Sequence, residues 1–406
     1  MISLRTKPRR HFPFVSRHPW VHAHALAEYE AQDVSVGDVV ELLDHDGNWL
    51  ARGLINPSSR LRVRLFSFDT QECLDEAFFR GKIHAAVARR QWGSQPIDPR
   101  GGERLVFSEA DGLSGLIVDR YAGCLSVQFT AAALLGRGEF LVQEIITACH
   151  QRGTPIDRVA VRMDPSTAKH EGVTAETAES LTNLQQGSDD SGSLIWYRHN
   201  DLEMAIDLTS GQKTGGFLDQ RLNHLAVAQY LQNRRVLDVC TYTGGFALSA
   251  ARGGASSVIA IDSSERALSL ARLNAERNEI GGVDFRVGDC FDELKAMHER
   301  GETFEAVILD PPRFAGSRHQ IESALRAYTR LNVLAVSLLS AGGILVTCSC
   351  SGRVARSDFL NMLVDVGRRK RRDIRVFESR GPSPDHPFAV SCPESNYLKC
   401  LIAQVA

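Results

Sequence analysis

The stretch Asp238-Val239-Cys240-Thr241-Tyr242-Thr243-Gly244-Gly245-Phe246 decides the architecture. It closes a β-branched run over 235–239 and opens a segment of helical period that continues to Arg252. A strand therefore feeds a helix through a glycine turn, the place where open α/β sheets receive nucleotide-like ligands. The glycines let the backbone approach such a ligand at the strand's carboxyl end. The spacing is not Gly-x-Gly-x-x-Gly, which seats a pyrophosphate, so a ligand without phosphates fits better. On this turn alone, a nicotinamide-binding sheet or an inert βαβ scaffold stays open.

Working outward, β-type runs at 257–261, 283–287, 305–309 and 343–348 alternate with helical periods at 265–278 and 321–339. That alternation predicts an α/β fold built on a parallel, doubly wound sheet. The second strand ends in Asp262-Ser263, where a carboxylate can accept from both ribose hydroxyls, and the third in Asp289-Cys290, where an acid can reach an adenine amino group. The three turns together resemble the adenosine-binding set of class I S-adenosylmethionine (SAM)-dependent methyltransferases.

The fourth strand delivers Asp310-Pro311-Pro312-Arg313-Phe314. Its prolines fix the backbone and hold Asp310 and the Pro311 carbonyl at the sheet edge. The fifth runs into Cys348-Ser349-Cys350-Ser351-Gly352. A cysteine there can attack carbon 6 of a pyrimidine and make carbon 5 nucleophilic, while a protonated Asp310 donates to ring nitrogen 3. Cysteines are also among the most buried residues, and positions 348 and 350 of an extended segment share a face, so spacing does not choose between them.

The chain's 406 residues are 43 % hydrophobic and 24 % charged, which excludes a disordered or fibrous protein. The net charge of −2 gives no global sign of a polyanionic partner. Nine scattered cysteines without a Cys-x-x-Cys pair predict neither a disulfide framework nor a metal site, and suit a reducing cytoplasm. No signal peptide or membrane span is expected. Residues 1–20 carry five Lys/Arg and no acid and read as a basic, exposed beginning. Short strands over 34–65 predict a small β-barrel; a helix over 73–91 and strands near 104–107, 116–121 and 125–129 predict a central α+β unit. Residues 171–193 read as a loop or linker.

The runs Gly211-Gln212-Lys213-Thr214-Gly215-Gly216-Phe217-Leu218-Asp219-Gln220-Arg221, Thr243-Gly244-Gly245-Phe246, Asp310-Pro311-Pro312-Arg313-Phe314 and Ser349-Cys350-Ser351-Gly352 resemble the RlmI-type ribosomal RNA large-subunit methyltransferases, which form 5-methylcytosine. So do Glu109-Ala110-Asp111-Gly112-Leu113-Ser114-Gly115-Leu116, Asp385-His386-Pro387, Arg17-His18-Pro19-Trp20 and Asn56-Pro57-Ser58-Ser59. The resemblance implies a PUA-like RNA-binding domain (1–72), a central α+β domain (73–193) and a Rossmann-like methyltransferase domain (194–406). It implies SAM as cofactor and large-subunit ribosomal RNA as partner, in a cytoplasmic monomer or homodimer. By the same likeness Cys350 is the nucleophile, with Cys348 second, and Asp310 assists. The cofactor-binding set is Lys213, Thr214, Tyr242, Thr243, Gly244, Gly245, Phe246, Asp262, Ser263, Asp289, Cys290, Asp310 and Pro311, with Arg221 bracing it.

Gly216 and Cys240 stand where the family commonly has aromatics. Arg313 stands where commoner 5-methylcytosine enzymes carry a second cysteine, so release of the adduct needs another base. Arg17 and the run Arg368-Arg369-Lys370-Arg371 are the candidate RNA contacts, with a solvated face as the equal alternative for that run. Two other functions compete: methylation of ring nitrogen 7 of guanine, which needs no cysteine, and a non-catalytic SAM- and RNA-binding protein.

Overall fold

The structure is a computed structural model that describes every residue except 1, 30–33, 92–96, 175, 178–180, 186–193, 209–214 and 315–319, and the side chains of 182 and 183. The chain forms two compact units. One comprises Met1–Arg198, Ile206–Gly216 and Asp385–Ser395, the other His199–Ala205, Phe217–Pro384 and Asn396–Ala406. No helix among the described residues is long and apolar enough to cross a membrane.

The first unit contains two sheets. Strands β1 (Ile2–Arg5), β2 (Trp20–His22), β3 (Val39–Leu43), β4 (Trp49–Ile55) and β5 (Leu61–Ser67) form a five-stranded sheet in the order β1-β3-β4-β5-β2. The basic beginning is thus not wholly exposed: Leu4 is buried and β1 pairs in parallel with β3. Strands β6 (Gly102–Phe107), β7 (Leu116–Tyr121), β8 (Cys124–Phe129) and β9 (Arg158–Arg162) make a four-stranded sheet packed with the helices Glu76–Ala88 and Gly138–Gln151 in one apolar core. The first of these helices starts where Asp75 accepts from the Phe78 N–H.

Several quoted motifs act as anchors here. Asn56 and Ser59 both hydrogen-bond Glu171. Glu109 accepts from Trp20 Nε1 and Ser114 Oγ, both at 2.8 Å. Asp111 takes a bidentate pair from the fully buried Arg90, which also donates to the Asp385 carbonyl. A buried charge needs such compensation at every lone pair. Gly216 fits because Tyr121 and Tyr197 occupy the space beside it: a Cβ there would stand 3.0 Å from the Tyr197 hydroxyl.

Strands β10 (Leu194–His199) and β11 (Leu202–Asp207) form a two-stranded sheet. The second unit carries a seven-stranded sheet of β12 (Arg235–Val239), β13 (Ser257–Asp262), β14 (Val283–Val287), β15 (Phe304–Leu309), β16 (Leu339–Ser349), β17 (Ile374–Arg380) and β18 (Lys399–Val405), ordered β14-β13-β12-β15-β16-β18-β17. From β14 to β16 every pairing is parallel, as the alternation predicts, whereas β18 joins β16 and β17 antiparallel. Apolar clusters fill both faces of this sheet. The strand order reverses between β12 and β15, and the carboxyl ends on either side of such a switch are where open α/β sheets receive ligands.

Candidate active site at the carboxyl edge of the sheet

The turn after β12 is wound tightly. Cys240 (φ 65°), Tyr242 (φ 52°) and Gly244 (φ 89°) all take left-handed backbone, which side chains resist and glycine accepts. Hydrogen bonds hold Tyr242 and the Thr241 between the two strained residues. Thr241 N–H donates to the Ile261 carbonyl at 3.0 Å, Tyr242 N–H to Asp262 Oδ2 at 2.8 Å, and Thr241 Oγ1 to Asp238 Oδ2 at 2.6 Å. Asp238 is fully buried, and desolvation pushes its carboxyl up to about 7. Hydrogen bonding to Cys290 and burial both push the Cys240 thiol up. The buried Phe246 ring meets His224 edge-on at 4.3 Å, and a Cβ on Gly245 would stand 2.4 Å from His224 Cε1. Thr243 is fixed through its carbonyl, which accepts from buried Asn274 at 3.0 Å. No sequence signal marked His224 or Asn274 as part of this scaffold.

The other expected donor residues line up along neighbouring strand ends. Asp262 closes β13 and its oxygens accept from Tyr242 N–H and Ser264 N–H, which orients the carboxylate and leaves lone pairs for a diol. Ser263 is exposed beside it. Asp289 is an N-cap: its Oδ1 accepts from Phe291 and Asp292 N–H and starts the helix Cys290–Glu299. Arg221 begins the helix Arg221–Ala228. Lys213 and Thr214 lie outside the described residues. A cradle whose backbone needs glycine at its floor, with an oriented carboxylate on the adjacent strand, fits the adenosine part of SAM. The residues that would hold it are the 242–246 turn, Asp262 and the Asp310-Pro311 corner.

At the reacting edge, Asp310 N–H donates to the Val239 carbonyl at 3.2 Å and so ties the end of β15 to that of β12. Cys350 Sγ lies 4.0 Å from the Pro311 carbonyl. Cys348 and Cys350 do not share a face, because β16 stops at Ser349. Cys348 sits fully buried in the core opposite Cys400, and burial pushes its thiol well up. Cys350 lies just past the strand and is half-buried. Tyr328 and Lys399, which the sequence did not single out, flank it. Desolvation pushes the Tyr328 hydroxyl up to about 12 and the Lys399 ammonium down to about 8.

Among the candidate RNA contacts, Arg17 is exposed, with its guanidinium 6.0 Å from the Phe68 ring centroid. Arg368 and Arg369 are exposed and each pairs with Asp365 at 2.7 Å, Lys370 is half-buried and Arg371 is exposed. The next residue, Arg372, is structural: it donates to five main-chain carbonyls, those of Val336, Leu339, Ser340, Val405 and Ala406. One trio of metal-capable side chains converges among the described residues, His18, Cys392 and Glu394. It is satisfied internally, with Glu394 Oε2 at 3.3 Å from His18 Nε2 and 3.7 Å from Cys392 Sγ.

Comparison with known proteins accords with this geometry. Residues 191–391 match the S-adenosylmethionine-dependent methyltransferase family and residues 4–68 the PUA-like domain family. Two solved structures share the fold over the full length of both chains. They are a candidate SAM-dependent methyltransferase from Streptococcus mutans (TM-score 0.80, 18 % identity) and another candidate methyltransferase solved with S-adenosylhomocysteine (TM-score 0.81, 19 % identity). Ribosomal RNA large subunit methyltransferase I of Escherichia coli K12 is 36 % identical over 391 residues, 96 % of each chain, as is that of strain SE11. The chain therefore belongs to the family of ribosomal RNA large subunit methyltransferase I, SAM-dependent enzymes with a PUA-like domain ahead of the catalytic sheet.

Proposed function

We propose that this protein methylates carbon 5 of a cytosine in large-subunit ribosomal RNA, with Cys350 as nucleophile and Asp310 as proton donor. The observation that carries the reading is the 4.0 Å approach of Cys350 Sγ to the Pro311 carbonyl, next to Asp310 and beside the donor turn. Bound SAM supplies an electrophilic sulfonium methyl. Carbon 5 of cytosine is too weak a nucleophile to take it unaided. The Cys350 thiolate adds to carbon 6, and the electrons of the 5,6 double bond move into the ring as Asp310 protonates nitrogen 3, leaving carbon 5 enamine-like. Carbon 5 takes the methyl, a base then removes the carbon-5 proton as the sulfur–carbon bond breaks, nitrogen 3 returns its proton to Asp310, and the thiolate is restored. Buried Cys348 has no route to a base in this reading; its thiol packs against the core.

RNA carrying 5-fluorocytosine at the target tests this, since fluorine cannot leave as a proton does and the adduct persists. A covalent protein–RNA complex is expected with wild type and Cys348→Ala but not with Cys350→Ala. An adduct that survives Cys350→Ala overturns the assignment. Near-normal methyl transfer by Cys350→Ala points instead to guanine nitrogen 7, and bound SAM with no labelled RNA to a binding protein.

A further inference from the structure

The Ser349-Cys350-Ser351 turn is gripped from two sides by side chains far away in sequence. On one side stands Tyr328, from the helix Ile321–Leu338. Its hydroxyl accepts from Ser349 Oγ at 3.0 Å and lies 3.1 Å from Ser351 Oγ, so the residues before and after Cys350 are tied to one atom. The Tyr328 ring is itself fixed, tilted on Phe314 at 4.8 Å and edge-on to Phe359 at 5.3 Å.

On the other side stands Lys399, directly opposite Ser349 in the antiparallel register of β16 and β18. It is 3 % exposed, and its three donors go to the carbonyls of Ser351 (2.7 Å), Val354 (2.8 Å) and Tyr397 (2.7 Å). An ammonium has three donors, so the group is fully bonded, yet every partner is neutral. A glutamine could hold carbonyls without the heavy desolvation cost of a buried cation. What a cation adds is a field on a nearby anion. By its bond to the Ser351 carbonyl the ammonium is fixed one residue from Cys350; Arg356 opposes its charge, Asp358 and Cys350 favour it, and Asp310 faces the Cys350 side from beside the Pro311 carbonyl.

We propose that Lys399 and Tyr328 are positioning residues for Cys350, Lys399 holding its thiolate in the charged form and Tyr328 fixing the turn so that sulfur faces the Pro311 corner. The proposal rests on the reading of Cys350 as nucleophile, but the test of Lys399 requires neither RNA nor turnover. The rate of iodoacetamide alkylation is followed against pH and resolved for each of the nine cysteines by peptide mass spectrometry. In wild type the Cys350 midpoint is expected below that of exposed Cys73, which serves as the internal reference.

Lys399→Gln is expected to raise the Cys350 midpoint by about one pH unit, roughly tenfold less thiolate near neutrality, and Lys399→Arg to restore it. Tyr328→Phe is expected to leave the midpoint in place and to slow single-turnover methyl transfer, with unchanged calorimetric affinity for S-adenosylhomocysteine. An unmoved midpoint in folded Lys399→Gln overturns the proposal. So does a wild-type midpoint at or above that of Cys73, a measurement that does not depend on any variant folding. A shifted midpoint with no 5-fluorocytosine adduct would leave the positioning standing and remove the cytosine reading; an adduct with an unshifted midpoint does the reverse.

Discussion

Gly245→Ala probes the turn after β12 from beneath. The added methyl would lie 2.4 Å from His224 Cε1, 2.8 Å from Nε2 and 3.2 Å from Nδ1, inside contact distance for most of the ring. The ring has little freedom to retreat: His224 Nδ1 is 2.8 Å from His199 Nε2, both residues are buried, and Phe246 packs edge-on at 4.3 Å. Overpacking of this kind costs about 1–3 kcal/mol, and breaking the buried His–His bond adds about 1–3 kcal/mol. A total near 3 kcal/mol lowers the melting temperature by roughly 6–12 °C for a unit of this size.

Gly244→Ala is the control. Its Cβ would come no nearer than 3.2 Å, to Leu248, and the main penalty is φ +89°, about 1–2 kcal/mol. Scanning fluorimetry of both variants, with S-adenosylhomocysteine affinity by calorimetry, should rank Gly245→Ala as the more damaging. His224→Ala destabilises alone but should relieve Gly245→Ala, so that the double variant is more stable than the sum of the singles predicts. If Gly245→Ala melts within a degree of wild type, or the pair is additive, the clash is not what requires glycine at 245.

Further outcomes follow from charged side chains. Asp238, raised to about 7 by desolvation, contributes stability that is complete below its unfolded value near 3.8 and lost as pH rises through about 7. The melting temperature of Asp238→Asn should therefore gain on wild type between pH 5 and pH 8, and a constant difference refutes the assignment. Arg372→Met strands five carbonyls and should cost about 2–4 kcal/mol in denaturant titration while leaving RNA affinity intact; the double variant Arg368→Glu/Arg369→Glu should do the opposite, weakening RNA binding and flattening its salt dependence. Equal effects of both sets on stability would put the exposed pair in the scaffold.

The central strands of the methyltransferase sheet were legible because β-branched runs alternating with helical periods have one economical solution, a parallel sheet, and the glycine turn marks its ligand edge. Strands β17 and β18 were not. The first reads Ile374-Arg375-Val376-Phe377-Glu378-Ser379-Arg380 and is mostly exposed on the sheet edge, and the second begins with a lysine, so neither carries a clean period of two. The same lysine explains why spacing could not choose between the cysteines. Period-2 reasoning holds only while backbone stays extended, and here extension ends one residue before Cys350. Ser351 N–H turns back to Ser349 Oγ at 3.3 Å, and Lys399 draws the Ser351 carbonyl away from the strand direction. Cys348 stays in the ladder and goes to the core, while Cys350 leaves it and reaches the Pro311 corner. The residues that force the departure, Tyr328 and Lys399, come from a helix and a strand remote in sequence, and ordinary types in ordinary elements carry no local mark. Which of two cysteines reaches the Pro311 carbonyl is thus decided by pairing across the sheet, information that no single stretch of sequence holds.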